Sequence, residues 1–223
     1  MRAQLLPDVP MDGSDACAAG AGGARRQRVV VVVALAAGTA LIIVTLHVPR
    51  GSAAFVVTGY LLAFVWVCAA MLARPIPWIG LGSARNDLAL GVATGVATFG
   101  VFVLAAWIGK RISVLSAPID SVLARADAAS VAVVLTLALV NGVGEELFFR
   151  GALPRAIGSR SPLVLSTVLY VGVIAVAGNT ALTLAAIVMG TVFAVERRRT
   201  GGLIAPVATH LVWTTLILVA LPR

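Results

Sequence analysis

Charge is scarce in these 223 residues: only 12% are Asp, Glu, Lys or Arg, too few to cover a water-soluble domain of this size. Acids are scarcer still, nine against seventeen basic residues, and only three of the nine are glutamates. There are two cysteines, Cys17 in a polar stretch and Cys68 in an apolar run. Their spacing fits neither a metal knuckle nor a disulfide framework, so they imply no redox role. Aromatic residues reach only 6%, so the apolarity comes from elsewhere. Val, Ala and Leu supply it: the chain is 60% hydrophobic with a mean hydropathy of +1.04, the composition of lipid-facing helices. The net charge of +8 does not indicate a nucleic-acid partner, because Lys and Arg fall in short groups between apolar runs. The positive-inside rule places them there. The expected class is all-α, a polytopic transmembrane bundle with the lipid bilayer as its surroundings.

Residues 1–28 read as a disordered cytoplasmic tail, rich in Gly, Ala and Asp, ending at Arg25, Arg26 and Arg28. The transmembrane domain then runs over 29–223. Apolar runs cover about 29–48, 53–73, 88–109, 131–153, 161–177, 180–195 and 203–221, which makes about seven candidate spans at ~20 residues each. The first run is longer than a signal-peptide core, which favours a retained span over a cleaved leader, with cleavage near Gly51-Ser52-Ala53 the lesser alternative. Arginines crowd one side of the expected spans: Arg2, Arg25, Arg26, Arg28, Arg74, Arg85, Arg155, Arg160 and Arg197–Arg199 share it, predicting a multi-pass cell-membrane protein with its amino terminus in the cytoplasm. The segment 110–130, with Pro118, Asp120, Arg125 and Asp127, reads as interfacial. The runs either side of Gly178-Asn179 suggest a tight helical hairpin, and one domain accommodates everything after the tail.

Ionisable groups inside a span cost roughly 2.5–3.5 kcal/mol each at its centre, so they mark function or a buried ion pair. The fourth run holds three: Glu145, Glu146 and Arg150. Glu146 and Arg150 are four apart and share a helical face, a structural ion pair. Glu145 points about 100° away, with Asn141 and Phe149 one turn to either side, an arrangement suited to general-base work. His210, with Thr214 one turn later, lies in the last run. At ~1.5 Å per residue, the glutamates and His210 both sit roughly 14–16 Å inside the same border, so they can meet. Glutamates and a histidine converging from two helices can hold a divalent metal or polarise a water directly.

At these residues the chain resembles the CPBP family, the CAAX-protease and bacteriocin-processing intramembrane proteases also called the Abi family. The family's Glu-Glu-x-x-x-Arg motif is similar to Glu145, Glu146 and Arg150 within GEELFFRG, where Phe148, Phe149 and Gly151 also follow the pattern. Its His-x-x-x-Asn motif is similar to His210 and Thr214. Its middle Phe-x-x-x-His motif aligns with Tyr170 and Ile174, so an isoleucine stands where the family has histidine; His47, near the outer end of the first span, is too far in depth to replace it. The resemblance covers about 131–220. It implies an intramembrane endopeptidase, a metalloprotease in some members, that hydrolyses a peptide bond of a membrane-associated or prenylated protein or peptide substrate. The catalytic residues it implies are Glu145, Glu146 and His210, with Asn141, Tyr170 and Thr214 in support. The cofactor would be a divalent metal such as zinc on Glu145 and His210, or none. Two alternatives stand beside it: a CPBP-like scaffold or regulatory protein without catalysis, and a small transporter using Glu145 as a proton site.

Overall fold

The computed structural model describes residues 13–49, 51–73, 78–126 and 130–220, and among these there is no strand. The chain forms α1 (Gly13–His47), α2 (Ala53–Leu72), α3 (Ala84–Gly109), α4 (Ser113–Ala126), α5 (Val131–Glu145), a π-helical segment (Glu146–Ala152), α6 (Leu153–Ile157), α7 (Pro162–Ala175), α8 (Thr180–Thr200) and α9 (Ile204–Ala220). Among the described residues five stretches are long and apolar enough to cross a membrane: Gly22–His47, α2, α3, the continuous run Val131–Ile157, and α8. The remaining two apolar runs form α7 and α9, of 14 and 17 residues. This is a bundle of the polytopic membrane type, in which helices satisfy the backbone without water.

Local chemistry sets the helix ends. Ser52, Ser83 and Asn179 cap α2, α3 and α8 by accepting from the backbone N–H three residues on. Helix α8 runs past the end of its apolar run, through Arg197, Arg198 and Arg199, and stops at Gly201, whose φ of +72° is a conformation that glycine takes without strain. The basic triplet is therefore helical rather than a turn: arginine is a good helix former and its charge favours the carboxyl end of the helix dipole. At the other terminus α1 begins at Gly13, inside the stretch expected to be a disordered tail. Its Ala-rich sequence carries the helix upstream of the arginines; residues 1–12 lie outside the described part. The interfacial segment folds as α4, held to the start of α8 by Asn179, whose Nδ2 donates to Ser121 Oγ (2.7 Å) and Pro118 O (3.1 Å).

Close packing follows the small residues, as expected where lipid supplies no hydrophobic drive. A Cβ on Gly91 would come within 2.5 Å of Ala205 O, and one on Gly95 within 2.8 Å of Val212, so α3 and α9 approach almost backbone to backbone. An aromatic cluster fills the centre: Trp66 of α2 stacks against Phe148 and Phe149 at 4.7 and 5.1 Å, and Phe149 meets Tyr170 of α7 at 5.1 Å. Gln27 Nε2 donates to Ala73 O (2.7 Å), and Leu81 N–H donates to Thr200 O (2.7 Å). Those bonds place the basic border of α1, the α2–α3 connection and the α8–α9 turn at one end of the bundle.

Candidate active site

The two glutamates sit where the fourth span changes helix type, and Pro154 gives the reason. In an α-helix residue 154 would donate to the Arg150 carbonyl, but proline has no N–H and its ring crowds that carbonyl. The backbone widens into a π-helix over Glu146–Ala152, with Leu153 N–H bonding back to Phe148 O. The Phe149 and Arg150 carbonyls are thereby freed, and neighbouring helices supply donors. Ser166 Oγ of α7 donates to Phe149 O, and Arg197 Nε of α8 donates to Arg150 O at 3.1 Å. Satisfying buried carbonyls in this way is what lets an irregular turn persist inside a bundle.

Glu146 is fully buried, 0% exposed, and its Oε1 accepts from Arg150 Nη1 at 3.3 Å and from His210 Nδ1 at 3.2 Å. The ion pair expected from the spacing is therefore present, and it reaches a third partner on α9. Arg150 uses its other amino group to donate to Gly190 O at 3.1 Å, and its guanidinium lies over the Tyr170 and Phe193 rings at 4.6 and 5.1 Å. Gly190 allows this approach, since a Cβ there would stand 3.3 Å from Arg150 Nη2.

His210 is buried, stacked on Phe193 at 4.8 Å with ring planes 17° apart. Its other side lies against Gly142, where a Cβ would meet the ring at 3.1 Å. A carboxylate only accepts, so the contact with Glu146 assigns the proton to Nδ1 and turns Nε2 to other chemistry. Glu145, half-buried, has different neighbours: Tyr170 of α7 and His210 of α9 both lie within electrostatic range of its carboxylate. Three helical elements thus converge with two carboxylates, a guanidinium, a phenol and an imidazole.

Not every candidate joins them. Asn141 turns to α2, donating to Gly59 O (3.0 Å) and Leu137 O (2.9 Å). Thr214 is buried one turn beyond His210. Ile174 packs against the hydrophobic core and brings no polar atom. His47, exposed at the end of α1, bonds Ile43 O. Phe193, Gly190, Ser166 and Gly142 were not singled out by the sequence, although the last two needed only a reading of what the helix around Pro154 lacks and what His210 must lie against. The third glutamate, Glu196, was also missed. It is buried in α8 and accepts from Thr209 Oγ1 at 2.7 Å, beside the His210 segment.

A zinc ion needs about four ligands with three supplied by protein. Among the described residues no group of three or more His, Cys, Asp and Glu side chains is arranged to hold a metal. Here Glu146 Oε1 is already shared by Arg150 and His210, and Ile174 contributes no donor. Glu146 Oε2 is buried without a hydrogen-bond partner, yet the side chains as placed fall short of the three protein ligands a zinc ion takes.

Residues 127–216, which contain all five converging groups, match the family described as Rce1-like, type II CAAX prenyl endopeptidase. No curated protein and no solved structure matches the chain.

Proposed function

Since residues 127–216 match the family described as Rce1-like, type II CAAX prenyl endopeptidase, we propose that this multi-pass membrane protein is an intramembrane endopeptidase that hydrolyses a peptide bond of a membrane-associated, prenylated-type substrate. The observation that carries this reading is the contact of Glu146 with both Arg150 and His210 beside the half-buried Glu145. In it the roles divide. Glu146 and Arg150 form the framework: their pair fixes the π turn and orients the imidazole through Nδ1. Glu145 has no cation of its own and is the more accessible carboxylate, so it serves as general base.

Glu145 takes a proton from water as the oxygen attacks the scissile carbonyl carbon, and the new C–O bond places negative charge on the carbonyl oxygen. The Tyr170 hydroxyl is the donor available to that oxyanion, while His210 Nε2, bare in the Nδ1–H tautomer, accepts a hydrogen bond from the attacking water. As the C–N bond breaks, Glu145 returns the proton to the leaving amine, and the acid and amine products separate with atoms and charge balanced. No step passes through a metal. The substrate enters from the cytoplasmic leaflet, where the basic end of the bundle lies if the charge asymmetry sets orientation.

The test is turnover by the purified full-length protein in liposomes against prenylated and unprenylated membrane peptides, with and without a zinc chelator. Cleavage indifferent to the chelator supports the reading. Absence of cleavage across the panel, with the protein folded, would overturn it in favour of a scaffold that keeps the Glu-Arg framework alone.

A further inference from the structure

Helices α7 and α8 pack side by side, and a groove of about 730 Å³ runs between them. That volume falls within the ~300–1,000 Å³ typical of small-molecule sites. Val164, Val168 and Val171 of α7 and Ile187 and Val195 of α8 form its apolar walls, and most of them are exposed. One end differs. Arg160, just ahead of α7, and Arg198, in the last turn of α8, both line the same groove. Among the described residues neither has a carboxylate at ion-pair distance. The first turn of α7, which opens with Pro162, also lacks a side-chain cap, so the positive end of its dipole faces the same mouth. With only 14 residues α7 is about 21 Å long, short of a ~30 Å hydrocarbon core, which brings headgroups close to its start.

We propose that this groove holds one anionic glycerophospholipid, with its phosphate between Arg160 and Arg198 and an acyl chain along the valine wall. Complementarity selects that occupant: a zwitterionic lipid brings its own ammonium beside the phosphate and adds no net negative charge to the two guanidinium groups, and a soluble anion leaves the apolar trough unfilled. Basic clefts between spans are recognised sites for acidic headgroups, and two cations at the surface give a preference of about 25-fold over a zwitterionic lipid. The groove also backs onto the site. Thr167 in its wall lies against Gly190, whose carbonyl holds Arg150, so an occupied groove braces α7 on α8 behind that contact. The inference rests on the fold, and its readout needs no turnover.

Full-length protein is equilibrated in mixed micelles with dioleoyl-phosphatidylglycerol or dioleoyl-phosphatidylcholine, and retained lipid is counted by native mass spectrometry. Wild type should keep one phosphatidylglycerol, roughly 25-fold over phosphatidylcholine. The Arg160→Gln, Arg198→Gln double variant should lose that preference while keeping its melting temperature in phosphatidylcholine. Val168→Trp, which fills the trough, should lower retention of both lipids. Equal retention of the two lipids by wild type, or a preference that survives the double variant, overturns the proposal. So does competition by glycerol 1-phosphate as strong as by the lipid, which would mean that the headgroup alone is bound, or a Val168→Cys cross-link between two copies, which would make the groove a subunit seam.

Discussion

Arg150→Ala removes the cation that balances a fully buried carboxylate. Arg150 is 2% exposed and Glu146 0%, and among the described residues Glu146 keeps only His210 as a partner once the guanidinium is gone. Breaking a buried pair from one side costs about 3–5 kcal/mol, since the remaining charge is stranded in a medium of low polarity. His210 retains one contact to the same oxygen, which pulls the expectation to the lower end, about 3 kcal/mol. Lost contacts to the Tyr170 and Phe193 rings add on the order of 1 kcal/mol. At the scaling of domains of this length, the melting temperature should fall by roughly 10 °C. Thermal unfolding in a mild detergent, followed by near-ultraviolet circular dichroism, measures it, alongside the amount of folded protein in the membrane. Combining Arg150→Met with Glu146→Gln removes both charges and should recover much of the loss, because no uncompensated ion remains. A single Arg150→Ala variant that melts within about 2 °C of wild type would refute the claim that this pair holds the π turn together.

Three further outcomes follow from particular contacts. Gly142→Val should overpack the seat of His210, where an added Cβ would stand 3.1 Å from the ring, and cost about 1–3 kcal/mol while abolishing cleavage; unchanged turnover in that variant would dissociate His210 from the chemistry. Ile174→His, one turn beyond Tyr170 on α7, should raise turnover by returning the group found at that motif position, read in the same liposome assay; no rise in a folded variant would show that α7 does not present position 174 to the site. Cys17 and a cysteine introduced at Arg199, each in a background without other cysteines, should react with an impermeant maleimide only after cells are opened; labelling of both from outside would reverse the orientation and move the substrate to the opposite leaflet.

The sequence announced the charged residues and concealed what shapes them. Glu145, Glu146, Arg150 and His210 stood out because ionisable groups are expensive in an apolar run, and their depths implied that they meet. The contact of His210 with Glu146 in addition to Arg150 depends on how far α9 is rotated, and that rotation is set by Gly91 and Gly95 on α3, remote in sequence. The π turn was legible in principle from Pro154, four residues after Arg150, but a period of 3.6 residues was assumed across it. Asn141 was placed on the face of Glu145 by the same periodicity, and it is drawn instead to the Gly59 carbonyl of α2. Phe193 and Gly190 carry no signal of their own in an apolar helix. Helix α8 outran its apolar run because arginine continues a helix as readily as it ends a span.

The measurement that bears most directly on the central claim is the cleavage rate of Glu145→Gln beside wild type in liposomes, with the folded fraction of each determined in the same preparation. Glutamine keeps the shape of the side chain but cannot take a proton, so the account predicts a normally folded protein that has lost at least ~100-fold in rate. A variant that cleaves at the wild-type rate would show that the proton goes elsewhere and that Glu145 is not the base.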